Sequence, residues 1–167
     1  MIIREARPED AEELIAYIHR LDDEPDSMLP RAPGEFLMTV EQERTLLAEY
    51  AASDNSVYLV AVVDGVIVGS LSGSGGKRQA MRHTADFGLS VASEWRRRGI
   101  GTALLGRLIE WAESTGIIRR LELEVYAHND PAIHLYRKFG FIEEGCRRQA
   151  FFQHGSFNDG ILMARLL

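Results

Sequence analysis

A basic, glycine-containing stretch carries the clearest chemical signal in the sequence: Arg96-Arg97-Arg98-Gly99-Ile100-Gly101-Thr102. It follows a β-rich run that ends in Leu89-Ser90-Val91 and precedes a helical pattern, which places it at a predicted helix N-terminus. The first turn of a helix has N–H groups without intrahelical partners, and the helix dipole adds partial positive charge there. Glycines allow close approach to the backbone, and arginines add directional donors. The stretch predicts a phosphate or pyrophosphate site; taken alone, turn glycines beside a solvated arginine rim would give the same pattern.

Two common nucleotide-binding motifs do not account for these glycines. A Rossmann fingerprint requires a third glycine where Leu104 stands. A P-loop around Gly76-Lys77 would require glycine in place of Leu71 and a hydroxyl residue in place of Arg78. The sequence therefore predicts neither motif.

The elements that position this stretch follow from changes in hydrophobic period. Alternating or β-branched runs predict strands, and apolar residues at helical spacing predict helices. The resulting order is β-α-α-β-β-β-α-β-α-β-β, with strands over 2–6, 56–63, 66–71, 82–91, 121–126, 141–152 and 157–164, and helices over 8–21, 39–52, 99–114 and 130–139. Three hairpin-linked strands precede a strand–helix–strand unit, so we expect a mixed sheet.

Composition restricts the class of protein. The chain has 167 residues, 46% hydrophobic and 26% charged, and shows no repeat or linker, which predicts a single domain over 1–167. A net charge of −6 argues against a general nucleic-acid binder. Cys146 is the only cysteine, so an intrachain disulfide and a cysteine-rich metal site are excluded. The sequence has no signal-like leader and no apolar run of about 18 residues, so we expect a soluble, cytoplasmic protein without membrane association.

A second motif supports a family assignment. Residues 96–101 match the pattern Arg/Gln-x-x-Gly-x-Gly/Ala, and residues 129–141 match Asn-x-x-Ala-x-x-Leu-Tyr-x-x-x-Gly-Phe. Both patterns are typical of GNAT N-acetyltransferases, and the chain resembles that family most strongly over 56–165. The resemblance implies an α/β (α+β) fold: a mixed, mostly antiparallel sheet of six to seven strands, splayed at an acetyl-CoA cleft and flanked by about four helices.

The resemblance also implies a site for acetyl-CoA as cosubstrate, without a metal. The pantetheine arm would pair with the backbone of Leu89, Ser90 and Val91, and the pyrophosphate would lie on the N–H groups of residues 97–102, after Arg96. Tyr136 matches the family tyrosine that binds or protonates the CoA sulfur; without the motif, a packed helix tyrosine would be the simpler interpretation. Asn129 either contacts the cofactor arm or ends the strand before the helix.

The general base has two candidates. Glu124 stands twelve residues before Tyr136, a spacing that resembles bacterial enzymes acetylating protein N-termini. Asp86, on the strand before the glycine loop, is the competing carboxylate. A glutamate ordinarily ionises far below neutral pH, so a base role requires burial or a relaying water. Arg147 and Arg148 either bind substrate or form an exposed strand pair, and the histidines show no zinc-binding spacing.

The acceptor is expected to be a small-molecule amine. The chain most resembles GNAT members that acetylate the α-amine of free amino acids; others acetylate protein N-termini, polyamines or phosphinothricin. The resemblance assigns specificity to residues 22–40 and 151–158, where an acidic loop would attract an amine unless it is simply solvated, and it implies a tendency to homodimerise through the last strands. A non-catalytic acetyl-CoA sensor is the alternative of another class.

Overall fold

Seven strands and four helices follow one another in the predicted order in the computed structural model, which describes residues 1–167. The strands are β1 (Ile2–Glu5), β2 (Val57–Val63), β3 (Val66–Gly75), β4 (Thr84–Val91), β5 (Arg120–Tyr126), β6 (Ile142–Gln153) and β7 (Ser156–Leu166). The helices are α1 (Ala11–Asp22), α2 (Val40–Ala51), α3 (Ile100–Thr115) and α4 (Asp130–Lys138). The predicted element order is confirmed; the largest difference is β3, which extends four residues beyond its predicted end at 71, to Gly75.

One sheet contains all seven strands in the order β1-β2-β3-β4-β5-β7-β6. Every neighbouring pair is antiparallel except β4 and β5. The parallel β4–β5 ladder contains three pairs, from Thr84 with Arg120 to Asp86 with Glu122, and then stops. The strands therefore separate beyond this point, and the expected splayed, mixed sheet is confirmed.

Beyond the three-pair ladder, β4 and β5 border a gap, and the open edge of β4 presents backbone groups to it. The His83 carbonyl points toward β5, because it accepts from the Arg120 N–H. The Ala92 N–H points toward β3, because it donates to the Val68 carbonyl. Because successive residues of a strand direct their backbone groups to opposite sides, Leu89 and Val91 direct theirs into the gap. The gap is therefore lined by backbone groups of β4 that have no partner in β5.

Helices pack on both faces of the sheet. A core of 21 buried residues lies between the sheet and α3 with α4, and a second core of 10 lies between β2, β3 and α1 with α2. Helices α1 and α2 cover β2 and β3 but leave the same face of β5, β7 and β6 open, where Arg147 and Leu162 are exposed. No helix of the structure is both long and apolar enough to cross a membrane.

Candidate active site

The turn before α3 presents a row of free N–H donors. Gly99 is the N-cap with φ 83°, and Arg97 adopts φ 58°, a left-handed conformation that a non-glycine residue rarely takes. The first backbone bond into α3 runs from Ala103 N–H to the Gly99 carbonyl, at 3.0 Å. No N–H from Arg97 to Thr102 donates a hydrogen bond within the chain. Six adjacent donors at a helix N-terminus form an arrangement that can bind an anion.

The three arginines of this turn have different positions. Arg98 lies over the Trp95 ring, 4.8 Å from its centroid. Arg96 turns away from α3: its Nε donates to the Val91 carbonyl at 3.0 Å and its Nη1 to Asp26 at 2.7 Å, while Nη2 pairs with Glu24. The Arg96 guanidinium therefore ties the end of β4 to the loop after α1. Glu24 and Asp26, in the acidic loop that sequence analysis considered for amine attraction, are already paired.

A buried tyrosine beneath β4 was not predicted as part of the site. Tyr17 of α1 is fully buried, and its hydroxyl lies 3.0 Å from Ser90 Oγ, which in turn lies 3.1 Å from Ser70 Oγ. Burial raises the pKa of Tyr17 to about 12, so the phenol stays protonated at neutral pH. In sequence, Tyr17 occupies an ordinary core position of α1 between Leu14 and Ile18, which gives no local sign of contact with β4.

Tyr136 reaches the gap from α4. Its ring is 6% exposed and packs edge-on against Phe87, with centroids 5.8 Å apart. Its hydroxyl makes no hydrogen bond within the chain, yet it is not among the fully buried, unpartnered polar atoms. Burial raises the pKa of Tyr136 to about 12. The ring therefore belongs to the core, whereas the hydroxyl has no partner within the chain.

Two further candidate residues, Asn129 and Gly101, lie against α4. Asn129 caps α4, three residues after the end of β5, and its Oδ1 accepts from Ala132 N–H at 3.3 Å. Gly101 is enclosed, because a Cβ placed there would lie 3.3 Å from Leu135 and 3.7 Å from Leu89. The N-terminus of α3, the edge of β4 and α4 therefore meet at Gly101.

Three carboxylates share the open face beside the gap. Asp86 and Glu122 are register partners inside the paired part of β4 and β5, whereas Glu124 lies two residues further along β5, where the strands have parted. Arg120 binds Glu122 at 2.7 Å, and Arg147 Nη1 binds Glu124 Oε2 at 2.5 Å. Asp86 has no cationic partner; desolvation, and then the charges of Glu122 and Glu124, raise its pKa above the ordinary aspartate value.

Glu124 is enclosed more tightly than its neighbours. Its Oε1 is buried and receives no hydrogen bond. A Cβ placed on Gly160 of β7 would lie 2.1 Å from this oxygen, so only glycine at position 160 leaves room for the carboxylate in its present place. The spacing of β5 and β7 residues in the sequence does not reveal this contact.

The two segments assigned to specificity come together over this face. Gln153 Nε2 donates to the carbonyls of Ser27 and Leu29, at 3.0 and 3.3 Å, which places the α1–α2 loop against the last hairpin. Beside this contact, the Tyr126 and Phe151 rings stack with centroids 4.2 Å apart. A cavity of about 310 Å³ lies between loop and hairpin. A larger cavity of about 430 Å³ lies at β1, where its lining contains none of the candidate residues.

Comparison with known proteins gives relatives that are named as N-acetyltransferases. The chain is 39% identical over 108 residues to the L-amino acid N-acetyltransferase AaaT of Escherichia coli, covering 65% of this chain and 67% of the relative. It is 40% identical over 78 residues to the [ribosomal protein bS18]-alanine N-acetyltransferase of Salmonella typhimurium, covering 47% of this chain and 52% of that protein. The chain thus spans about half the length of the second relative.

Comparisons with solved structures and family models agree with these relatives. The structure superimposes on a GNAT-family acetyltransferase from Streptococcus pneumoniae with a TM-score of 0.95, 37% identity and 99% coverage of both chains. A model of the acetyltransferase (GNAT) family matches residues 10–141. The chain therefore belongs to the acetyltransferase (GNAT) family, whose members transfer acetyl groups from acetyl-CoA.

Proposed function

We propose that residues 1–167 form one N-acetyltransferase domain that transfers the acetyl group of acetyl-CoA to the α-amine of an amino acid or a related small molecule. The observation that carries this proposal is the β4–β5 gap. One wall is the edge of β4 from Leu89 to Val91, which has no partner in β5. The free N–H groups of Arg97 to Thr102 lie at the end of that wall, and Glu124 stands where the strands part. A relative named for L-amino acid acetylation supports the amine class.

The residues present fit an acetyl-CoA molecule. Pyrophosphate oxygens would accept from the six N–H groups between Arg97 and Thr102, which have no acceptor within the chain. The amide-bearing arm would pair with the gap-facing N–H and C=O groups of Leu89, as an added strand would. When bound, acetyl-CoA supplies an activated acetyl thioester. Arg96 acts here as a positioning residue, because its side chain anchors the Val91 carbonyl and the acidic loop.

The reaction forms a bond between the acceptor nitrogen and the acetyl carbon and breaks the carbon–sulfur bond. Glu124 takes the first proton from the acceptor ammonium, directly or through water, because it lies beyond the last β4–β5 pair, whereas Asp86 lies within the paired part. The second proton leaves the nitrogen for solvent water once the nitrogen–carbon bond has formed. Asp86 adds negative charge that favours the acceptor cation. The Val91 N–H, which faces the gap, stabilises negative charge on the acetyl oxygen.

The Tyr136 hydroxyl donates a hydrogen bond to the departing sulfur. With a tyrosine pKa of about 12 and an ordinary thiol pKa near 8.5, full proton transfer would be uphill by about 5 kcal/mol. Tyr136 therefore acts as a hydrogen-bond donor, and the thiolate leaves with its charge stabilised. The phenol needs no ionisation for this role.

The test is acetyl-CoA-dependent release of free thiol, with the acetylated product identified by mass spectrometry. The panel contains free amino acids, N-terminal peptides, polyamines and aminoglycosides, and reactions without acceptor serve as the control. We expect turnover concentrated in the free amino acids. Tight acetyl-CoA binding by calorimetry with no thiol release across the panel would contradict catalysis and favour the sensor interpretation.

A further inference from the structure

Both members of the Arg147–Glu124 ion pair have hydrogen-bonding groups without a partner. Arg147 uses only Nη1, so its Nε and Nη2 donors have no partner within the chain. Glu124 has Oε1 without a donor. A guanidinium with a free edge can bind a carboxylate through two parallel hydrogen bonds. The Glu124 side chain is 21% exposed although its Oε1 is buried, so Oε2 is the oxygen that can accept a further donor beside Arg147.

Charge on the open face follows a gradient across the strands. Asp86 lies on β4 and Glu124 on β5, the two strands that border the gap. Arg147 lies on β6, two strands beyond β5 in the order β5-β7-β6. The Arg147 side chain is 60% exposed and no helix covers it, so it can move to meet a ligand. A ligand with a cationic and an anionic end would lie with its cation toward the gap and its anion toward β6.

We propose that Arg147 binds the α-carboxylate of a free amino acid while Glu124 holds its ammonium at the gap, so that this pair selects free amino acids over polyamines and peptide N-termini. The inference rests on the proposed function and names the acceptor class. An α-amino acid carries both charges on one carbon, so its two ends pair with Glu124 and Arg147 together. A polyamine brings no carboxylate, and a peptide N-terminus has an amide carbonyl in its place.

The Arg147–Glu124 pair need not break for this binding. The ammonium of the amino acid lies beside Glu124 and its carboxylate beside Arg147. The four charges therefore alternate in sign around the site. Tyr126 of β5 and Arg147 of β6 both pair with Gly160 of β7, and the Tyr126 ring stacks on that of Phe151. The stacked rings offer an apolar surface to the amino-acid side chain. An apolar amino acid is therefore a suitable probe.

The experiment compares L-leucine with L-leucinamide, which differ only in the carboxylate. In the wild type, we expect kcat/KM for leucine to exceed that for leucinamide by roughly 10- to 100-fold, the range of one hydrogen-bonded charge pair. Arg147→Ala brings this ratio close to one by raising KM for leucine, and Arg147→Lys restores part of it. Arg148→Ala is the matched control, since Arg148 is an exposed neighbour without an ion pair, and it leaves the ratio unchanged.

A binding measurement separates this inference from the proposed function. Leucine and leucinamide are titrated calorimetrically into wild type and Arg147→Ala, each saturated with CoA. The wild type could turn over no amine and still bind leucine more tightly than leucinamide, with the difference lost in Arg147→Ala. In that case the proposed function fails, and the role of Arg147 in binding the carboxylate stands. The role of Arg147 would be overturned if the wild type had equal affinity or equal kcat/KM for leucine and leucinamide. It would also be overturned if Arg147→Ala lowered the values for the two ligands by the same factor.

Discussion

Replacing Gly160 with alanine tests whether the position of Glu124 matters for catalysis. The new Cβ would lie 2.1 Å from Glu124 Oε1, and ordinary contact begins at 3.4 Å, so this oxygen must move by about 1.3 Å. A displacement of about 1 Å in a catalytic group lowers the rate roughly 100-fold, which corresponds to about 2.7 kcal/mol. We expect Gly160→Ala to lower kcat/KM for the best amino acid by about that factor.

Stability should change little in the same variant. Gly160 does not have a positive φ, so alanine can adopt its backbone conformation, and the nearest atoms belong to the end of a side chain. Alanine in a strand is favoured over glycine by about 0.5–1 kcal/mol, which offsets part of the repacking. Tm by calorimetry should remain within about 4 °C of the wild type, and the Kd for acetyl-CoA should be unchanged.

Gly145→Ala is the matched control for this experiment. It adds the same methyl group to β6, but the nearest atom is a Leu162 methyl at 4.0 Å, so activity should stay near that of the wild type. In a Glu124→Ala background, Gly160→Ala should cause no further loss, because the group that it displaces is absent. Full activity of Gly160→Ala, or additive losses in the double variant, would refute the assignment of Glu124 as the base.

Three further predictions concern other parts of the molecule. Tyr136→Phe should lower kcat by about 10- to 100-fold with little change in acetyl-CoA affinity, as one hydrogen bond to a charged group is lost; equal kcat would remove the hydroxyl from the mechanism. Gly101→Val should weaken acetyl-CoA binding at least tenfold in calorimetry, because its side chain would enter the space between Leu135 and Leu89; unchanged affinity in a folded variant would contradict the proposed cofactor position. Burial raises the pKa of Glu43, so the folded state binds its proton more tightly than the unfolded state, and stability falls as pH rises from the ordinary glutamate pKa through the raised one. Glu43→Met should therefore raise Tm by about 2–4 °C at pH 7 and leave it unchanged at pH 4; a lower Tm at pH 7 would show that the carboxylate is stabilising.

The sequence by itself determined the order of the elements and the chemistry of the glycine turn. Both depend on local physics: hydrophobic period selects helix or strand, and residues 99–102 form the first turn of a helix, whose N–H groups have no acceptor within the helix. The sequence left the role of Asn129 open, although the cap that it forms joins residues only three apart.

Only the tertiary structure decided which distant side chains meet. Arg96 pairs with Asp26 across 70 positions of sequence, and Tyr17 contacts Ser90 across 73, because α1 and its following loop pack on the sheet beside β4. The enclosure of Glu124 depends on the β5–β7 and β7–β6 registers, which place Gly160 and Arg147 in one row beside it. A shift of one residue in either register would turn Arg147 to the opposite face, and no local pattern in the sequence specifies that alignment.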